Sequence, residues 1–167
     1  MLAIILVVGG ILSRLIPHAW NFNPVIAVAL FGGVYLSRKQ ALIVPVLLMA
    51  VSDIFLGFHN TMPFTWGAML LVVLLGFWVK KHISVTRVLG GSIIGATIFF
   101  VVTNFGAWLA MYPKTLEGLI SCYTFAIPFY RNSVISALIY SVVLFSTYEL
   151  VSQRVKGTKL SFVVRDS

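Results

Sequence analysis

Ala41-Leu42-Ile43-Val44-Pro45-Val46-Leu47-Leu48-Met49-Ala50-Val51-Ser52-Asp53-Ile54-Phe55-Leu56-Gly57-Phe58 is an apolar run with a single carboxylate near its end. A run of this length reads as a membrane span, because a helix needs roughly 20 apolar residues, and sometimes only 17, to cross the hydrocarbon core. A carboxylate at such depth is expensive, so Asp53 needs a partner or a purpose. Only four of the 167 residues are acidic.

Composition extends this reading to the whole chain. With 60% hydrophobic and 10% charged residues and a mean hydropathy of +1.03, too little polar surface exists to coat a water-soluble domain. Apolar runs and their punctuation give six segments: 2–16, 24–37, 41–58, 64–79, 89–112 and 132–153. The expected fold is an all-α integral membrane protein, a bundle of six transmembrane helices in one domain over 1–153, with a basic tail over 154–167. No length remains for a separate catalytic domain. The first segment lacks a basic leader and carries Arg14 where a cleavage motif would want small residues, so it reads as a retained helix.

Basic residues orient the bundle. Arg38, Lys39, Lys80, Lys81, Arg87, Arg154, Lys156, Lys159 and Arg165 fall on one side, nine of the twelve. Arg14, Lys114 and Arg131 fall on the other. The positive-inside rule then places both termini in the cytoplasm and the protein in the cytoplasmic (inner) membrane. The net charge of +8 is thus topological. It is scattered over short loops with no aromatic platform, so no nucleic-acid partner is expected.

Polar residues inside the apolar segments mark the candidate site. At ~1.5 Å per residue, Arg14, Asp53 and Asn104 each lie roughly 5–8 Å to the outer side of their span midpoints. They read either as an Arg14–Asp53 ion pair with Asn104 bonding between helices, or as the lining of an outward-facing pocket, or as both. Phe100, Asn104, Trp108 and Tyr112 recur every four residues in the fifth span, an amide between rings suited to a planar or ring-containing solute. Asn132, Ser136 and Tyr140 repeat that spacing in the sixth span. The outer stretch from Arg14 to Pro24 mixes Trp20, Asn21 and Asn23 with two prolines and reads as a rigid re-entry. The connection from Tyr112 to Asn132 is read as an interfacial or re-entrant segment, with Pro128 and Asn132 opening the last helix.

Catalytic chemistry finds little support. One cysteine, Cys122, excludes an internal disulfide and a cysteine metal cluster. His18 and His59 are two ligands without a third, Ser133 and Ser136 have no evident base, and one buried aspartate does not hold a catalytic metal. Neither an enzyme nor a cofactor or metal is expected.

Several strings together carry a resemblance: Arg14-Leu15-Ile16-Pro17-His18, Asn21-Phe22-Asn23-Pro24 leading to Ala27 and Gly33, Ser52-Asp53 with Leu56-Gly57, Thr103-Asn104 with Trp108, Tyr112-Pro113-Lys114-Thr115 with Gly118-Leu119, and Pro128-Phe129 with Asn132. Over 13–135 the chain resembles a family of uncharacterised bacterial six-span proteins, itself similar to the substrate-binding S components of energy-coupling factor (ECF) transporters. The resemblance implies a vitamin-sized pocket near the outer face and docking on a transmembrane T component driven by two cytoplasmic ATPases. The Ala-x-x-x-Ala docking pattern of the first helix is absent, since Ala3 is followed four places on by Val7. The expected function is capture and assisted uptake of a small organic solute, a vitamin or precursor. Arg14 would meet charge or fix Asp53, Asn23 and Asn104 would hydrogen-bond the solute, Trp20, Trp108 and Tyr112 would stack on it, and Asn21 and Asn132 would complete the site. The alternatives are a stand-alone channel, a carrier in which Asp53 takes up and releases a proton, and a structural subunit.

Reporter fusions test the orientation. Fusions after Lys39, after Lys81 and at the C-terminus should all report cytoplasm, and an external signal at any of them would contradict the charge-based topology.

Overall fold

The computed structural model describes residues 2–17 and 19–156. His18 and the tail from 157 onward, including Lys159 and Arg165, lie outside the described residues. Six helices follow in order: α1 (Leu2–Leu15), α2 (Val25–Tyr35), α3 (Arg38–Leu56), α4 (Met62–Val79), α5 (Val85–Met111) and α6 (Leu116–Lys156). Local chemistry sets most of the ends. The Ser37 and Ser84 hydroxyls accept the Gln40 and Arg87 amides and start α3 and α5. Gly57, at φ 96°, turns the chain out of α3, a backbone state that favours glycine.

Four of these helices, α3 to α6, are long and apolar enough to cross a membrane. The first two helices are shorter than the six-span expectation gives them. At ~1.5 Å per residue, the 14 residues of α1 and the 11 of α2 reach about 21 and 16 Å, short of a ~30 Å hydrocarbon core. α2 is instead the axle of the bundle. Val25 to Val34 are all buried, and α2 packs against each of the other five helices. α1 meets only α2 and α3, and α1 and α6 do not touch.

The last helix also differs from the reading of the sequence. The connection after Tyr112 is only a short turn, and α6 runs 41 residues straight through Pro128. Proline removes one amide donor and crowds the preceding turn. Here α5 holds both sides of that fault: the Tyr123 hydroxyl donates to the Val101 carbonyl at 2.7 Å, and Tyr130 meets the Thr97 hydroxyl at 2.9 Å. Neighbouring helices tolerate proline in apolar bundles in this manner.

Glycines fix the tightest crossing. A Cβ on Gly33 would meet the Val73 carbonyl oxygen at 2.5 Å and Gly76 Cα at 2.8 Å, so the backbones of α2 and α4 touch directly. Gly33→Ala should therefore cost about 1–3 kcal/mol through overpacking. Gly9→Ala is the control, because nothing lies within 4 Å of a Cβ there. Thermal unfolding in detergent should show a lowered midpoint for the first and an unchanged or higher one for the second.

Candidate functional site

Because α2 is short, the bundle is hollow beyond its N-terminus. Ile26 of α2 and Val72 of α4 flank the same glycine of α5, Gly95, so α2 begins level with the middle of α4 and not with Met62. The space left over forms a cavity of about 300 Å³. Its floor is the first turn of α2, Val25 and Ile26, with Asn21 and Asn23 from the preceding loop. Its walls are Arg14, Met49, Thr65 and Met69 from α1, α3 and α4, and Phe99, Thr103, Asn104 and Ala107 from α5. His59, Thr61 and Ser133 complete the lining.

Behind one wall sits the buried carboxylate. Asp53 is 1% exposed, and Arg14 Nη2 lies 2.9 Å from its Oδ1. That approach falls outside hydrogen-bond angles, so Oδ1 is held by charge, not by an aligned N–H. The Trp66 indole N–H donates to Oδ2 at 2.9 Å. Arg14 Nη1 donates to the Ser52 hydroxyl and points at the Met49 sulfur at 3.2 Å. One guanidinium thus joins α1 to α3, and one carboxylate joins α3 to α4. Trp66 was not singled out in the sequence, where nothing marks it as an acid's partner 13 residues after Asp53.

Of the residues expected at the site, Arg14, Asn21, Asn23 and Asn104 line the cavity, and Asp53 backs it. The Asn23 side-chain oxygen accepts the Val25 amide at 3.2 Å, quieting one free donor at the start of α2. Asn104 donates from Nδ2 to the Phe100 carbonyl at 2.7 Å.

The three proposed stacking rings lie elsewhere. Trp108 closes the end of α5: its indole donates to the Pro113 carbonyl at 3.0 Å and its ring carries the Lys114 ammonium at 5.7 Å. Tyr112 follows that helix as its C-cap. Trp20 is 78% exposed and meets the edge of Phe129 at 6.2 Å. Asn132 is also outside the lining, because its Nδ2 donates to the Trp20 carbonyl at 3.0 Å. That bond belongs to a pattern. Ser136 donates to the Asn21 carbonyl at 3.4 Å, and Tyr140 faces Phe22 at 6.1 Å. Three successive turns of α6 hold three successive loop residues, with Asn21 at φ 58° making the bend.

The geometry is that of a helical protein with four membrane-length helices and a half-open polar cavity that ends on a buried helix. The chain belongs to a family of unknown function (DUF6580), whose model matches residues 1–160. Neither a curated protein nor a solved structure matches it. Among the described residues no group of three or more His, Cys, Asp or Glu is placed to hold a metal ion.

The buried pair predicts a particular pattern of losses. Arg14→Ala and Asp53→Ala should each cost about 3–5 kcal/mol, since each leaves a buried charge unpaired, and the double variant should recover much of that. Trp66→Phe should cost about 1–3 kcal/mol by stranding Oδ2. Chemical unfolding of the purified variants measures both, and strictly additive losses would show that the two charges are independent.

Proposed function

We propose that this chain is a membrane-embedded substrate-binding component that captures a small organic solute in the cavity beyond α2 and assists its uptake. The observation that carries the reading is the cavity itself: polar side chains from α1, α4, α5 and α6 and from two loops converge inside an otherwise apolar bundle. Sites for small molecules are concave, mostly preformed and equipped with a few placed polar groups.

Two features favour capture over free conduction. The cavity stops on α2, where ten consecutive residues are buried, so a continuous pore would have to pass through the core of the bundle. Asp53, the residue that a proton-coupled carrier would use, sits behind Arg14 and is held by that cation and by the Trp66 indole. In this reading the protein lies in the cytoplasmic membrane with both termini inside, as the basic residues suggest. Its kinship with ECF S components, a vitamin-type solute, and an energising partner made of a T component with cytoplasmic ATPases rest on the sequence resemblance. Binding and conformational change, without bond chemistry, would be its work.

The test is retention. Mass spectrometry of small molecules released from the purified full chain should find one compound in near-stoichiometric amount. Asn104→Ala should lower its retention by roughly one to two powers of ten in affinity, as loss of a buried hydrogen bond implies, whereas Trp108→Phe and Tyr112→Phe should keep it. A protein that retains nothing, with uptake by cells unchanged in Asn104→Ala, would remove the binding reading.

A further inference from the structure

We infer that the solute is uncharged and non-aromatic and donates hydroxyl or amide hydrogens to the cavity wall; this specifies the ligand class and rests on the binding reading above. Charge is the first ground. Among the described lining residues Arg14 is the only Lys, Arg, Asp or Glu, and Asp53 already balances it. An ammonium ligand would find no counter-ion, and a desolvated ion without one is strongly disfavoured. A carboxylate ligand would have to share Arg14, whose Nη1 and Nη2 are engaged with Ser52, Met49 and Asp53. Drawing that guanidinium away would strand a carboxylate that is 1% exposed.

The direction of the hydroxyl protons is the second ground. Thr65 donates to the Thr61 carbonyl at 3.2 Å, Thr103 to Phe99 at 2.8 Å, and Ser133 to Phe129 at 3.0 Å. A hydroxyl has one proton and two lone pairs. With each proton committed to a carbonyl of its own helix, α4, α5 and α6 all turn acceptors toward the cavity. Asn104 keeps its side-chain oxygen free in the same way, having donated from Nδ2. Such a wall repels an anion and suits O–H and N–H donors. Asn23, whose oxygen takes the Val25 amide, offers its NH2 to a ligand acceptor from the floor.

The third ground is how few rings line the cavity. Among the described lining residues only Phe99 and the imidazole of His59, itself bonded to Thr61, carry one, and Trp20, Trp108 and Tyr112 are engaged elsewhere. A flat aromatic solute would lose the stacking partners that such ligands ordinarily use.

The experiment uses the purified full chain in detergent and four probes: N-acetylserinamide (neutral), N-acetylserine (anionic), serinamide (cationic) and benzamide (neutral, aromatic). N-acetylserinamide alone should raise the thermal midpoint saturably, and the retained compound should be a neutral, non-aromatic polyol or amide. Thr103→Val, nearly isosteric, should weaken the N-acetylserinamide response roughly tenfold, and Thr103→Ser should restore it. A retained acid, amine or planar aromatic compound that is lost in Asn104→Ala would overturn this inference and leave the binding reading standing. So would a larger shift from N-acetylserine, serinamide or benzamide. No retained compound and no shift from any probe would overturn the binding reading, and the inference with it.

Discussion

A helix that is buried on every side and ends halfway through a bundle constrains everything around it. α2 exposes none of Val25 to Val34, so it has no face for lipid or water. Its place is fixed by the backbone contact of Gly33 on Gly76, which admits no side chain. With that register set, Val25, eight residues before Gly33, starts α2 level with Ala68, and the six-residue step back to Met62 leaves about 9 Å of α4 rising past it. The cavity is the consequence of this mismatch in length. A longer α2 would fill it, and a shorter one would open the core beneath.

The ion pair solves a second problem, the attachment of α1. That helix exposes Ile4, Ile5, Val8 and Leu12 and meets only α2 and α3. Its seam with α3 keeps one register: Gly10 receives Leu48, and Arg14 reaches Ser52, each 38 residues further on. Apolar packing alone holds a helix weakly against lipid competition, because lipid tails are as apolar as the partner helix. A guanidinium and carboxylate placed at one depth supply direction and register, since any slip separates the charges. Trp66 then ties the same carboxylate to α4, so α1, α3 and α4 share one polar node.

Much of this was legible in the residues. Apolar runs located five helices and the second half of α6, and depth arithmetic put Arg14 and Asp53 at one level because rise per residue is nearly constant. Faces were harder. Phe100, Asn104, Trp108 and Tyr112 look like one stripe, yet the cavity side of α5 is Phe99, Thr103 and Ala107, one residue earlier and about 100° around the helix. Asn104 sits at the boundary, while Phe100 turns to Tyr123 and Tyr130 on α6. A four-residue spacing does not say which neighbour a stripe faces. Pro128 misled for a related reason: a proline starts a helix in isolation, but packing against α5 carries α6 through it. The partner of Asn132, Ser136 and Tyr140 was equally hidden, since loop positions are not set by helical period.

The loop before α2 is held differently from α2 itself. Residues 20–22 lie along α6. Two hydrogen bonds and two ring contacts hold them there, and a net hydrogen bond contributes only about 0.5–1.5 kcal/mol. Moving α2 instead would break its packing against five helices, including the backbone contact of Gly33 on Gly76. The number of contacts therefore separates the two elements: α2 is the fixed floor, and the loop before it is the more weakly held part of the lining. Asn21 at positive φ fits this division, because a strained bend held by its neighbours relaxes when they let go.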